Sequence, residues 1–155
     1  MNEHPLAEAL AKSDLIHDRT ALLAAIVRVG AEIDRDYAGK RPIFMPVMNG
    51  GLIFGGHLAL AINTDMEFDY CHATRYRSGT EGHSLIWSKA PRVPMRDRHV
   101  LLVDDILDEG YTLAAVIKHC VAEGAASVRI AVLSRKVHDR CVPGLKADYV
   151  GVELP

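Results

Sequence analysis

Apolar residues in this chain fall alternately into short continuous runs and into helical spacings, a pattern that predicts strands and helices in turn. Leu22, Leu23, Ile26, Val29 and Ile33 recur at helical spacing behind Asp18, whose carboxylate suits an N-cap. That helix should lie on a sheet with Arg28 and Asp34 to Asp36 towards water, and end at Ala38-Gly39-Lys40-Arg41-Pro42. Ile43 to Met48 reads as a buried strand, with Pro46 marking an irregular end. Asn49-Gly50-Gly51 turns it into a second apolar helix, Leu52 to Ile62. Met66 to Tyr70 alternates as a strand does and continues to Thr74. A polar stretch from Arg75 to His83 follows, and Leu85-Ile86-Trp87 returns as a strand, so the region reads as a long hairpin. Val100 to Val103 is the next buried strand. Leu113 to Ile117 is the centre of a helix that starts near Thr112 and ends at Glu123-Gly124-Ala125. Val128 to Leu133 and Ala147 to Pro155 supply two more strands. The order predicts an α/β fold: a single domain with a mostly parallel sheet flanked by helices.

Composition narrows this. A chain of 155 residues, 49% hydrophobic, is long enough for one well-buried core, so residues 1–155 are expected to form one domain. The net charge of −2 leaves no basic excess to neutralise phosphates, which argues against nucleic acid as the main partner. Cys71, Cys120 and Cys141 are far apart and odd in number, as free thiols in a reducing cytoplasm would be, rather than disulfides or a zinc site. The opening MNEHPLAEAL has no basic flank and no long apolar segment, so neither a signal peptide nor a membrane span is expected. No internal repeat is present.

The chemistry concentrates between His99 and Cys120. The apolar strand ends on Asp104 and Asp105, then Ile106, Leu107 and a third acid, Asp108. Ligands of parallel sheets bind at the carboxyl ends of strands, where these acids fall. Gly110 lets the backbone approach a ligand closely, and the helix starting near Thr112 points unpaired N–H groups at it. Phosphate is the natural occupant. Asp104 and Asp105 suit hydroxyls or a divalent cation that prefers oxygen donors. Together these describe a sugar phosphate. Asn49-Gly50-Gly51 forms a second anion-ready turn. Two other folds place Asp-Asp at the end of an apolar strand. A receiver domain carries the pair near its own N-terminus and needs more chain than follows Asp105. A Walker B strand needs G-x-x-x-x-G-K-[ST] upstream, which this sequence lacks.

The run VLLVDDILDEGYT resembles the phosphoribosyl-pyrophosphate signature of the type I phosphoribosyltransferases, and is most similar to that of the hypoxanthine-guanine group. The resemblance implies that family's fold, with a hairpin lid, and a purine-salvage reaction in the cytoplasm. In that reaction 5-phosphoribosyl passes from phosphoribosyl pyrophosphate to hypoxanthine or guanine, with Mg²⁺ as cofactor. It implies Asp104 and Asp105 on the ribose and the metal, directly or through water. Asp108 would be the general base for the purine N7 proton, a role that favours a raised carboxylate pKa. The backbone of Asp108, Glu109, Gly110, Tyr111 and Thr112, with the Thr112 hydroxyl, would hold the 5′-phosphate. Asn49, Gly50 and Gly51 would hold the pyrophosphate, with a cis peptide at Met48–Asn49. Arg75 and Tyr76 would belong to a lid that keeps water from the anomeric carbon. Lys136, with Arg135 as competitor, would donate to the purine O6, and Ile106 would meet the base. By the same resemblance the protein is a homodimer or homotetramer.

The sequence departs from the family at Asn49, where many members have Lys, at Arg75, where Ser is usual, and at Glu109, where a hydroxyl residue is common. A carboxylate beside a phosphate repels it, so the Glu109 side chain is expected to turn to solvent. The family's base-stacking aromatic and a metal-associated Asp lie just beyond the segment matching Ala147 to Pro155. The base-binding part is therefore expected to be incomplete within these residues, and the native chain to continue. Rival readings are a transferase for another base, such as xanthine, and a regulator that keeps the fold as a phosphoribosyl-pyrophosphate sensor.

Overall fold

The structure is a computed structural model that describes residues 5–75 and 85–155. In chain order its elements are α1 (Pro5–Ala11), α2 (Arg19–Tyr37), β1 (Ile43–Pro46), α3 (Gly51–Ala61), β2 (Glu67–Phe68), β3 (His72–Arg75), β4 (Leu85–Lys89), β5 (His99–Leu107), α4 (Tyr111–Ala122), β6 (Ser127–Lys136) and β7 (Tyr149–Leu154). Five strands form one sheet in the order β2-β1-β5-β6-β7, with every neighbouring pair parallel. The remaining two, β3 and β4, make a separate antiparallel pair.

Strand alternation sorts the apolar runs onto two faces. Ile43, Met45, Val100, Leu102, Ile130 and Val132 pack on one side with Leu113, Val116 and Cys120 of α4 and with Ala73 of β3. Phe44, Leu101, Val103 and Ala131 pack on the other with Ile26, Val29 and Ile33 of α2 and with Phe54 and Leu58 of α3. Burial on both faces is why the β5 run has no polar alternation from Val100 to Val103. Asp18 caps α2 as expected, its Oδ1 accepting from the Ala21 amide at 2.8 Å. No helix among the described residues is long and apolar enough to cross a membrane.

Two expectations need correction. The stretch from Met66 to Thr74 is not one strand. It pairs with β1 as β2, then leaves the sheet and resumes as β3 against β4. Asp69 sits at the break. Its carboxylate accepts from the backbone amides of Tyr70, Arg92 and Val93 at 2.8, 2.5 and 3.0 Å, and from the Lys89 ammonium. Local bonding of this kind competes with a continuous ladder. Nor does the polar side of α2 simply face water. Arg28 donates to the Val150 and Gly151 carbonyls of β7 at 3.0 and 2.6 Å. Asp34 accepts from the amides of Asn63 and Thr64 at 2.9 and 2.7 Å. Asp36 accepts from Arg129 and from the Tyr149 hydroxyl at 3.0 and 2.9 Å.

Candidate active site

From β1 the chain builds β2 on one side, then crosses to place β5 on the other. The crevice outside the carboxyl ends of β1 and β5 therefore lies where the strand order reverses, the place in such sheets where ligands bind. Both turns singled out from the sequence open there: Met48 to Gly51 between β1 and α3, and Asp108 to Gly110 between β5 and α4.

In the first turn the Met48–Asn49 peptide is cis, as the resemblance implied. A Cβ on Gly50 would lie 2.7 Å from Asp105 Oδ1 and 3.0 Å from Asp104 Oδ1. Successive strand residues ordinarily point to opposite faces, yet these two carboxylates converge over one glycine. Asp104 also accepts from the Asp105 amide at 2.9 Å. Burial, with the charge of Asp105 beside it, pushes the Asp104 carboxyl up to about 7. Of the three amides expected to face pyrophosphate, that of Gly51 is committed to the Val47 carbonyl at 2.8 Å, because Gly51 already lies in the first turn of α3. Asn49 and Gly50 remain at the exposed edge.

The second turn lines a cleft of about 260 Å³ with Asp104, Ile106, Asp108, Glu109, Gly110, Tyr111, Thr112 and Leu113. Gly110 is the N-cap of α4 at φ 78°, no side chain caps the helix, and the first turn of α4 lines the cleft through Tyr111, Thr112 and Leu113. The reason for glycine differs from the one expected. A Cβ there would lie 2.3 Å from Leu145 Cδ2 and 2.9 Å from Leu107 Cδ1, so Gly110 makes room for the protein's own side chains. Glu109 is half-buried and lines the cleft, rather than standing clear in solvent.

Asp108 lies on the wall shared with a second cleft, of about 300 Å³, to which Arg135, Lys136, His138, Leu145 and Lys146 contribute. Its Oδ2 accepts from Lys136 Nζ at 2.6 Å, and its Oδ1 is 2.6 Å from His138 Nε2. The Lys136 and His138 hydrogen bonds hold its carboxyl below the usual range, opposite to the raised value expected of a base. Lys136 is thus tied to Asp108 in this state, while Arg135 pairs with Glu153 of β7. Sequence reasoning missed His138. The signal was its spacing: β6 runs through Lys136, so a residue two further on returns to the same side.

The segment after β6 grips the turn from Asp108 to Gly110 residue by residue. His138 meets the Asp108 side chain, the Val142 amide donates to the Glu109 carbonyl at 2.9 Å, and Leu145 fills the space beside Gly110. Of the expected lid, β3 and β4 form the base, from His72 paired with Lys89 to Arg75 paired with Leu85. Tyr76 and the hairpin tip lie outside the described residues.

Residues 12–153 match the family model of the phosphoribosyl transferase domain. The chain is 33% identical over 156 residues to a hypoxanthine-guanine phosphoribosyltransferase of Streptococcus pneumoniae, covering 100% of this chain and 83% of that protein. In three dimensions it is similar to a hypoxanthine phosphoribosyltransferase from Staphylococcus aureus, with a TM-score of 0.87 at 23% identity, over 99% of this chain and 83% of that one. A hypoxanthine-guanine phosphoribosyltransferase from Bacillus anthracis gives a TM-score of 0.84 at 26% identity, over 92% and 85% of the two chains.

Proposed function

The chain belongs to the phosphoribosyl transferase family, and on that premise we propose that it carries 5-phosphoribosyl from phosphoribosyl pyrophosphate to hypoxanthine or guanine in purine salvage. The products are the corresponding 5′-nucleotide and pyrophosphate. One observation carries the reading furthest. Asp108 stands between the cleft at the α4 N-terminus and the cleft holding Lys136, so one carboxylate reaches both a sugar-phosphate site and a base site.

Each residue then has a task. The amides at the start of α4 and the Thr112 hydroxyl bind the 5′-phosphate, and Asn49 with Gly50 faces the pyrophosphate. Asp104 and Asp105 hold the ribose hydroxyls. As N9 bonds to C1′ and the bond from C1′ to pyrophosphate breaks, Asp108 takes the N7 proton. The transition state resembles an oxocarbenium ion, so these groups act through position and charge. Lys136 donates to O6 of the base, which adenine cannot match because its 6-amino group is itself a donor.

The acid pair also fits Mg²⁺. Two carboxylate oxygens converge over Gly50, and their crowding is what a cation relieves. No group of three or more candidate ligands exists among the described residues. Asp104 and Asp105 would hold Mg²⁺, which would supply positive charge against the departing pyrophosphate.

The test is incubation with phosphoribosyl pyrophosphate, Mg²⁺ and each purine in turn, with the nucleotide products separated by chromatography. Hypoxanthine and guanine should be converted and adenine should not. Conversion of adenine alone, or of no base, would reject the proposal.

A further inference from the structure

Asp108 has both carboxylate oxygens occupied before any ligand arrives, one by Lys136 and one by His138. Each oxygen keeps a second lone pair, but an oxygen that takes up the N7 proton accepts poorly from the donor already beside it, so proton transfer favours the oxygen whose donor can turn away. The two donors are not equivalent. Lys136 ends a long, flexible side chain that is 37% exposed, and its ammonium can swing. His138 is only 15% exposed and is held from behind as well.

The second hold fixes the chemistry of the ring. The Arg140 backbone amide donates to His138 Nδ1 at 3.1 Å, so Nδ1 carries no proton. Nε2 must then carry it, and the 2.6 Å contact is a donation from the imidazole to Asp108 Oδ1. A doubly protonated ring would set Nδ1–H against the Arg140 N–H.

We infer that His138 is a positioning residue for the transfer, a singly protonated imidazole that pins Oδ1 of Asp108 while Lys136 moves to the base and leaves Oδ2 to accept the N7 proton. This rests on the proposed reaction. It goes beyond that reading in giving the two oxygens of Asp108 different roles and in naming the group that separates them. The Val142 and Leu145 contacts keep the turn in register while this happens. The other charged or titratable groups of the same cleft are Arg135, committed to Glu153, and Lys136, Lys146 and Cys141.

The experiment compares wild type with His138→Phe, which keeps a ring but loses the donor, and His138→Gln, which restores an N–H donor at similar reach. His138→Phe should lower kcat with hypoxanthine by roughly tenfold to a hundredfold, the range for a lost hydrogen bond to a charged group. KM for phosphoribosyl pyrophosphate should hold, and His138→Gln should recover most of the rate. A fall in kcat that Gln does not rescue, or an equal rise in KM for phosphoribosyl pyrophosphate, would mean a merely structural role and overturn the inference. A second readout needs no turnover: ¹³C-NMR titration of the Asp108 carboxyl, assigned with Asp108→Asn. Loss of a donor to the carboxylate should move that titration to higher pH in His138→Phe. An unmoved titration overturns the inference even if wild type proves inactive, the result that would reject the reaction itself.

Discussion

Gly110 and Leu145 occupy the same space to within a methyl group: a Cβ on the glycine would come 2.3 Å from Cδ2 of the leucine. Gly110 also sits at φ 78°, which costs an L-residue about 1–2 kcal/mol. Gly110→Ala should therefore suffer twice, and Leu145→Ala should relieve only the overlap. Urea denaturation of the four species in a double-mutant cycle should show a favourable coupling of about 1 kcal/mol. Strict additivity would mean that the contact has no energetic weight.

Gly50 makes the opposite kind of prediction. Its φ of −53° suits any residue, so alanine there strains no backbone. The methyl would instead meet Asp104 Oδ1 and Asp105 Oδ1. Gly50→Ala should change stability by less than about 1 kcal/mol and weaken the response to magnesium by roughly tenfold. A magnesium titration of turnover checks this, and an unaltered half-saturation point would separate the glycine from the acids.

Asp108→Asn removes the proton acceptor and keeps the shape. Turnover with hypoxanthine should fall by roughly 10²–10⁴-fold, while affinity for phosphoribosyl pyrophosphate, measured by calorimetry, should hold. Unchanged turnover would remove Asp108 as the base.

Asp69 predicts a pH dependence of stability. Burial alone would raise its carboxyl, but hydrogen bonds from Lys89 and from the amides of Val93, Arg92 and Tyr70 outweigh that and hold it at about 2, against an ordinary 3.8. A depressed folded-state value means that the ion favours folding. Its contribution is whole above about pH 4 and is lost as pH falls towards 2. The shift corresponds to about 2 kcal/mol. Asp69→Asn should lose that much at neutral pH and show a flatter stability curve across this window, followed by urea denaturation at stepped pH. A variant as acid-sensitive as wild type would place the effect elsewhere.

The parts of the fold legible in the sequence were those with local signatures. Asp18 and its helical run, the βα unit from Val100 to Ile117, and the turn at Asn49-Gly50-Gly51 each carry their pattern within a few residues, and each is where it was expected. What was not legible depended on distant partners. Alternation from Met66 to Thr74 says strand but not which sheet, and the departure at Asp69 is made by Lys89, Arg92 and Val93. Pairing of Asp108 with Lys136 and His138 joins the ends of neighbouring strands, so the direction of its pKa shift could not be read from its own motif. Gly110 is read from the sequence as freedom near a ligand, whereas the contact that excludes a side chain there is with Leu145, 35 residues further on in the chain and invisible to a local motif.

The central pairing of β1 with β5, from Ile43 against Val100 to Pro46 against Val103, has a consequence for how the protein is made. A ribosome has released Gly50 long before it reaches Asp104, so the two halves of the crevice wait on a contact between remote stretches of chain, the slow kind in folding. Ligand competence thus arrives only when that zipper closes. An excised peptide beginning at His99 would carry the whole acidic signature with Lys136 and His138, and yet lack the Gly50 turn over which Asp104 and Asp105 converge.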